Sequence, residues 1–189
     1  MRQVSFSLAQ APAFEAVFER HFGEVCGFLC RRVGRDLGEE LAAETFARAF
    51  ASWSRYEVGR GAVRPWLFGI ASNLVRAHRR AEARGLRALA RAGGEAGALT
   101  GEGDYERLVT RGETRRLAAA LARLRAGDRD VLLLVAWADL NSQEIAAALE
   151  LPAGTVRSRL NRARRQVRAA LARDCAAVER LPLKEVVGG

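Results

Sequence analysis

Apolar residues recur along this chain at steps of three and four, the spacing that places side chains on one face of a helix. Phe14, Val17, Phe18, Phe22, Val25, Cys26, Leu29 and Val33 keep that step and predict a long amphipathic helix over 13–32, with Arg20, Glu24 and Arg31 on its wet side. Residues 34–37 read as a break. A second helical stretch runs over 38–56 and can bury Leu41, Ala42, Thr45, Phe46, Ala49, Phe50 and Trp53. Pro65 suits the first turn of a third helix, 65–80, with Trp66, Leu67, Ile70 and Leu74 facing inward. Two further helices, 113–124 and 128–138, are split by Ala126-Gly127 and offer Leu121, Leu124, Val131, Leu132, Leu134 and Val135 to a core. No period-two alternation of a strand occurs, so the expected fold is all-α.

The last part of the pattern is the most specific. The run NSQE at 141–144 reads as a capping box, with Asn141 capping and Glu144 at the third helical position. Ile145, Ala146, Ala148 and Leu149 give a short apolar face, and LPAG at 151–154 interrupts it. From Gly154 to Arg173 a second helix carries Val156, Leu160, Ala163, Val167 and Ala170 or Leu171 on one side and Arg157, Ser158, Asn161, Arg162 and Arg165 on the other. Helix, short turn and basic helix together predict a helix-turn-helix whose second helix enters the major groove.

Between the two helical groups the character changes. Arg84, Arg87 and Arg91 extend a basic stretch, then Gly93, Gly94, Gly97, Gly101 and Gly103 read as a flexible linker. The expected organisation is a helical domain at 13–80, a linker at 81–112, a second helical domain containing the helix-turn-helix at 113–173, and a tail at 174–189. Residues 1–12 read as a loose arm.

Charge narrows the function. The 189 residues carry 31 Lys and Arg against 22 Asp and Glu, a net charge of +9, which favours an acidic polymer as partner. Seven arginines lie between Gly154 and Arg173, and no acid occurs between Glu150 and Asp174. Tyr56, Trp66 and Phe68 interleave with Arg64, Arg76, Arg79 and Arg80, a mixture that suits unstacked bases as well as phosphates. Three cysteines, Cys26, Cys30 and Cys175, do not make a disulfide framework. With no signal-like apolar start and no run of about 20 apolar residues, the chain is expected to work in a reducing cytoplasm. Only His21 and His78 are present, so neither a catalytic triad nor a metal site is expected, and no phosphate-binding GxxxxGK[ST] loop occurs. No cofactor is anticipated. Read from the residues alone, a free-standing helix-turn-helix regulator stays open beside a component of a larger DNA-reading machine.

Three motifs favour the second. Residues 39–46, EELAAETF, followed by ARAF at 47–50, resemble the region 2.2 motif of bacterial sigma factors. RPWLFGIASN at 64–73 resembles the start of their region 2.4 helix, and GTVRSRLNRAR at 154–164 their region 4.2 recognition helix. Their order and spacing resemble the extracytoplasmic-function group, which keeps regions 2 and 4 alone, and the likeness covers residues 13–173.

That resemblance implies a non-enzymatic factor that binds core RNA polymerase and promoter DNA and is held in check by an anti-sigma factor. It turns the acids of the second helix, which charge alone assigns to the helix dipole, into a polymerase-docking face: Glu39, Glu40, Leu41, Glu44, Thr45 and Phe46. It implies that Thr155, Arg157, Ser158, Arg159, Asn161, Arg162 and Arg165 meet the −35 element. It likewise implies that Tyr56, Arg64, Asn73, Arg76, Arg79 and Arg80 meet the −10 element, where a flipped base needs a pocket that stacks it.

Overall fold

A computed structural model describes the backbone of residues 11–53, 56, 62–91 and 112–179, with side chains over 13–53, 56, 62–85 and 116–172. The described residues form seven helices: α1 (Ala11–Val33), α2 (Arg35–Ser52), α3 (Val63–Arg91), α4 (Gly112–Ala122), α5 (Ala126–Ala138), α6 (Ser142–Leu149) and α7 (Ala153–Glu179). No strand occurs among them.

The N-terminal half is a three-helix bundle. The apolar stripe of α1 buries Phe14, Val25, Phe28, Leu29 and Val33, and α2 and α3 supply Leu41, Phe46, Leu67, Phe68 and Leu74 against it. Phe28 and Phe68 meet edge to face at 5.2 Å and 89°, a geometry that contributes roughly 0.5–1.5 kcal/mol beyond the area it buries. The break between α1 and α2 is a single residue. Gly34 sits at φ 89, a backbone region that a side chain would strain, and its N–H donates to Cys30 O at 3.0 Å. The chain can therefore reverse without a loop.

The C-terminal half packs α4 to α7 around Leu121, Leu124, Val131, Leu133, Leu134, Ile145, Val156 and Leu160. Arg129 closes the end of α4 by donating to the carbonyls of Ala122 at 2.6 Å and Leu124 at 3.1 Å, a cation placed where orphan carbonyls and the helix dipole favour it. Asp139 ends α5 in the left-handed conformation, φ 47.

Several boundaries differ from the sequence expectation. Helix α3 continues to Arg91, so residues 81–91 of the expected linker are helical; nothing in 66–91 breaks a helix except Gly69 and Gly85, and single glycines are tolerated. The rest of that linker before Gly112 lies outside the described residues, as do most of the N-terminal arm and of the C-terminal tail, although α7 runs on to Glu179. Gly154 does not interrupt the chain. It lies in the first turn of α7, and the interruption is made by Glu150, Leu151 and Pro152. The two halves also touch. Helix α3 lies along α6, α5 reaches α1 and α3, and their buried residues form one continuous cluster.

Candidate nucleic-acid interface

The helix-turn-helix is assembled by local chemistry. Asn141 Oδ1 accepts from the backbone N–H groups of Gln143 at 2.9 Å and Glu144 at 3.0 Å, while Glu144 Oε2 accepts from Asn141 N at 2.8 Å. The reciprocal capping box fixes where α6 begins. Its end is set by Glu150 in the left-handed region, φ 52, with its N–H directed to the carbonyls of Ala146 and Ala147. Pro152, which has no N–H to lose, then caps α7 by accepting from Thr155 N at 2.9 Å and Val156 N at 3.2 Å. Helix α7 is seated by Val156, Leu160, Ala163 and Ala170, all buried. Its opposite face exposes Arg157, Ser158, Asn161, Arg164, Arg165 and Arg168 to solvent. The Ser158 hydroxyl donates to Thr155 O at 2.9 Å.

Two arginines of this helix behave differently. Arg162 forks onto Asp128, Nε to Oδ2 and Nη2 to Oδ1, both at 2.7 Å. Asp128 lies at the start of α5 with its side chain 2% exposed, and its bidentate bond with Arg162 holds its carboxyl below the usual carboxylate range, against the opposing effect of burial. Arg159 is half-buried beside Gly127, where an added methyl carbon would come within 2.8 Å of its Nη1. The residues expected at the −35 element thus divide into an exposed row and a pair directed at α5.

On α3, Asn73 and Arg80 are exposed and Arg79 is half-buried. Arg76 donates from Nε to Asp130 Oδ2 and from Nη1 to Asn73 Oδ1 at 3.5 Å. Burial pulls the Arg76 pKa below its ordinary value, and the nearby charges of Arg159 and Arg80 add to that. Arg64 is held by Glu24, from Nε at 2.9 and 3.1 Å and again from Nη2, and its Nη2 also meets the carbonyl of Ala138. Tyr56 stacks on Trp53, with ring centroids 5.2 Å apart at 4°, and meets Trp66 at 4.7 Å and 35°; the two tryptophans are 6.2 Å apart, so the three rings form one cluster. Burial raises its pKa. Residues 57–61 of the expected base-flipping loop lie outside the described residues. Phe68, grouped with these aromatics in the sequence reading, is instead fully buried.

The acidic helix α2 needs a correction. Leu41, Thr45 and Phe46 are buried, and Thr45 Oγ1 donates to Leu41 O at 2.7 Å. They lie on the helix face turned to α1 and α3, so their side chains are not available to a partner. The outward face carries Glu39, Glu40 and Glu44, with Arg35 bound to Glu39 at 3.0 Å and Arg48 to Glu44 at 2.6 Å. An open groove between α2 and α3 is lined by Glu40, Glu44, Arg48, His78 and Arg84 among others.

Two of the cysteines lie in the described region, both as free thiols. Cys26 Sγ and Cys30 Sγ lie 3.8 Å apart on one face of α1, and burial, with the neighbouring Cys26, pushes the Cys30 thiol up to about 11. A raised pKa disfavours the thiolate, the form that reacts or binds metal. The side chain of Cys175 is outside the described residues. Among the described residues no group of three or more metal-ligating side chains comes together, and no helix is long and apolar enough to cross a membrane.

Sequence reasoning missed Asp128, Asp130 and Arg32, each about 1% exposed. Charged residues are normally read as surface, and no local pattern announces a partner 98 positions away, the separation of Arg32 and Asp130.

A basic helix-turn-helix joined to a second helical body with its own basic helix defines a two-part DNA-binding transcription protein. Family models described as Sigma-70 region 2 and Sigma-70 region 4 match residues 17–85 and 114–167, together about two thirds of the chain. The chain belongs to the sigma-70 family. Such a factor is non-enzymatic; it binds core RNA polymerase and directs initiation at promoters. Among solved structures, the Bartonella quintana sigma factor RpoE in complex with the anti-sigma factor NepR is similar, with TM-score 0.63 and 21% identity over 85% of this chain and 97% of that chain. CnrH in complex with the cytosolic domain of CnrY gives TM-score 0.62 and 24% identity over 87% and 90%. These likenesses show the same helical fold. No curated protein matches the chain in sequence.

Proposed function

We propose that α7 reads the −35 element as duplex DNA through Arg157, Ser158, Asn161 and Arg165, with Thr155 and Arg159 at the edge of the contact. The observation that carries this is the exposed, acid-free row on a helix whose other face is pinned by Val156, Leu160 and Ala163. Arginine at such a position offers a bidentate fork to guanine. Arg162 acts as a strut, fixing α7 against α5 through Asp128, and enters the DNA contact only if that pair opens. The N-terminal half handles the −10 element. Asn73, Arg79 and Arg80 lie along α3 for backbone and base contacts, Arg64 and Arg76 join once freed from their carboxylates, and the Trp53, Tyr56 and Trp66 rings form a shelf for an unstacked base.

Glu39, Glu40 and Glu44 form the face that docks on a basic surface of core polymerase. The chain catalyses no covalent step itself and needs no cofactor. It acts in the cytoplasm. An anti-sigma factor restrains it, a reading supported by the two similar structures, each a complex with such a regulator or with a partner's cytosolic domain.

The test is run-off transcription with core polymerase and a library of promoter fragments. The expected result is initiation at a subset of fragments sharing two separated sequence blocks. Tight binding to duplex DNA without polymerase, and no initiation with it, would identify a free-standing regulator instead.

A further inference from the structure

Where α1 turns into α2, two thiols meet. Phe22, Cys26 and Cys30 step by four along α1 and share one face, and on that face Phe22 meets the ring of Phe46 of α2 at 5.5 Å. Cys30 stands at the corner itself. Its carbonyl accepts from Gly34 N at 3.0 Å, and its thiol donates to Arg35 O at 3.7 Å. Gly38 of α2 comes so close that a Cβ there would lie 2.8 Å from Cys30 Sγ. One helical turn back, Cys26 places its own Sγ 3.8 Å from that of Cys30. Both thiols are free and half-buried, held by the corner yet partly open to solvent.

Two thiols so close have two uses, and geometry separates them. A disulfide needs its Cβ atoms about 3.5–4.5 Å apart. Residues four apart on a helix have theirs at roughly 5–6 Å, so the bond would have to pull the last turns of α1 out of shape. An ion between the sulfurs asks for no such movement. With metal–sulfur bonds of about 2.3 Å, the 3.8 Å separation subtends an angle of about 110° at the metal, which is the angle of a tetrahedral thiolate site.

We propose that Cys26 and Cys30 form a chelating pair for a thiophilic ion, either a soft divalent metal such as zinc or a trivalent arsenical. Thiolates select such ions over the hard cations that carboxylates hold. Water, or the ion's own substituents, fills the remaining positions. Of the charges on α2 that act on Cys30, Glu39 opposes the thiolate and Arg35 favours it. A coordinated cation outweighs both, because it deprotonates the thiol outright. With zinc, two S–H bonds are lost, two Zn–S bonds form and two protons leave to solvent. With hydrated phenylarsine oxide, two As–S bonds replace two As–OH bonds, and the thiol protons leave in two waters. Neither step changes an oxidation state. The pair stands apart from the sigma-factor reading, since neither cysteine is assigned to DNA or to polymerase.

The experiment uses the full chain with Cys175→Ser, which leaves only these two of the three cysteines. Reduced protein is titrated with zinc ion against a chromophoric chelator, and separately with phenylarsine oxide, while a thiol reagent counts free thiols. The expected result is one equivalent bound, two thiols protected, and a higher melting temperature on saturation. Binding in the zinc arm alone would mark a soft-metal site, and binding in the arsenical arm alone a metalloid site. Cys26→Ser and Cys30→Ser should each weaken binding at least tenfold, and the urea-unfolded parent should do the same because its thiols are not held together. The thiol count in the parent decides the question even where a serine variant folds poorly. Two thiols that stay reactive after one equivalent of each probe would overturn the proposal. So would binding retained in both serine variants, or equal affinity in urea.

Discussion

At the residue scale, exposure separates the proposed base readers from the proposed strut on the same helix. Arg157 is exposed and Arg162 is tied to a buried carboxylate. Arg157→Ala should cost about 1–3 kcal/mol of discrimination against the wrong base if it grips guanine. Anisotropy titrations against a preferred site and its single-base variants check this, and an equal loss on every sequence would mark Arg157 as a phosphate contact. Arg162→Ala should instead lower the melting midpoint, because it strands Asp128 inside the fold. The sign of the pH effect follows from the depressed carboxyl of Asp128. Its stabilisation is fully present above the ordinary carboxylate range and is lost as pH falls through the lowered value. Thermal melts between about pH 5 and pH 2 should show this acid limb in wild type, and Asp128→Asn should flatten it. The capping box gives a third case: Asn141→Ala should remove about 1 kcal/mol, read as a lower denaturation midpoint with unchanged far-UV signal before the transition.

Elements were the scale most legible in sequence, and the reason is local. Periodicity placed the seven helices of the described residues, and NSQE at 141–144 announced the start of α6 because a capping box is complete within four residues. Ends were less legible. Nothing in Arg84, Arg87 or Arg91 distinguishes a continuing helix from a frayed tail, and α3 continues. Motif resemblance also blurred the two faces of α2. It carried Leu41, Thr45 and Phe46 along with Glu39, Glu40 and Glu44, whereas burial retains only the acids for a partner. Reversing two of those charges tests the face. Glu40→Arg with Glu44→Arg should abolish co-purification with core polymerase while the melting temperature stays near wild type, since exposed ion pairs such as Glu44 with Arg48 stabilise little. Unchanged co-purification would refute the docking surface.

The whole molecule was the least legible scale. The sequence indicates two helical bodies and a glycine-bearing connection; it carries no sign that the bodies pack together. That information resides in pairs such as Arg32 with Asp130 and Arg64 with Glu24, and in the absence of a side chain at Gly69. Each pairing depends on residues distant in sequence meeting across a surface that exists only after both halves have folded. The packed form explains how a chain of net charge +9 can keep part of its basic surface satisfied by its own carboxylates. On the proposed function, promoter selectivity depends on a larger enzyme holding the halves apart at a fixed spacing. The most direct measurement of that claim is permanganate reactivity of unpaired thymines at the −10 element, with core polymerase and the chain, on promoters whose spacer is changed by about half a helical turn (~5 base pairs). The account predicts a reactive −10 region on the natural spacer and its loss on the altered one. Equal reactivity on both, or reactivity that does not require the chain, would contradict it.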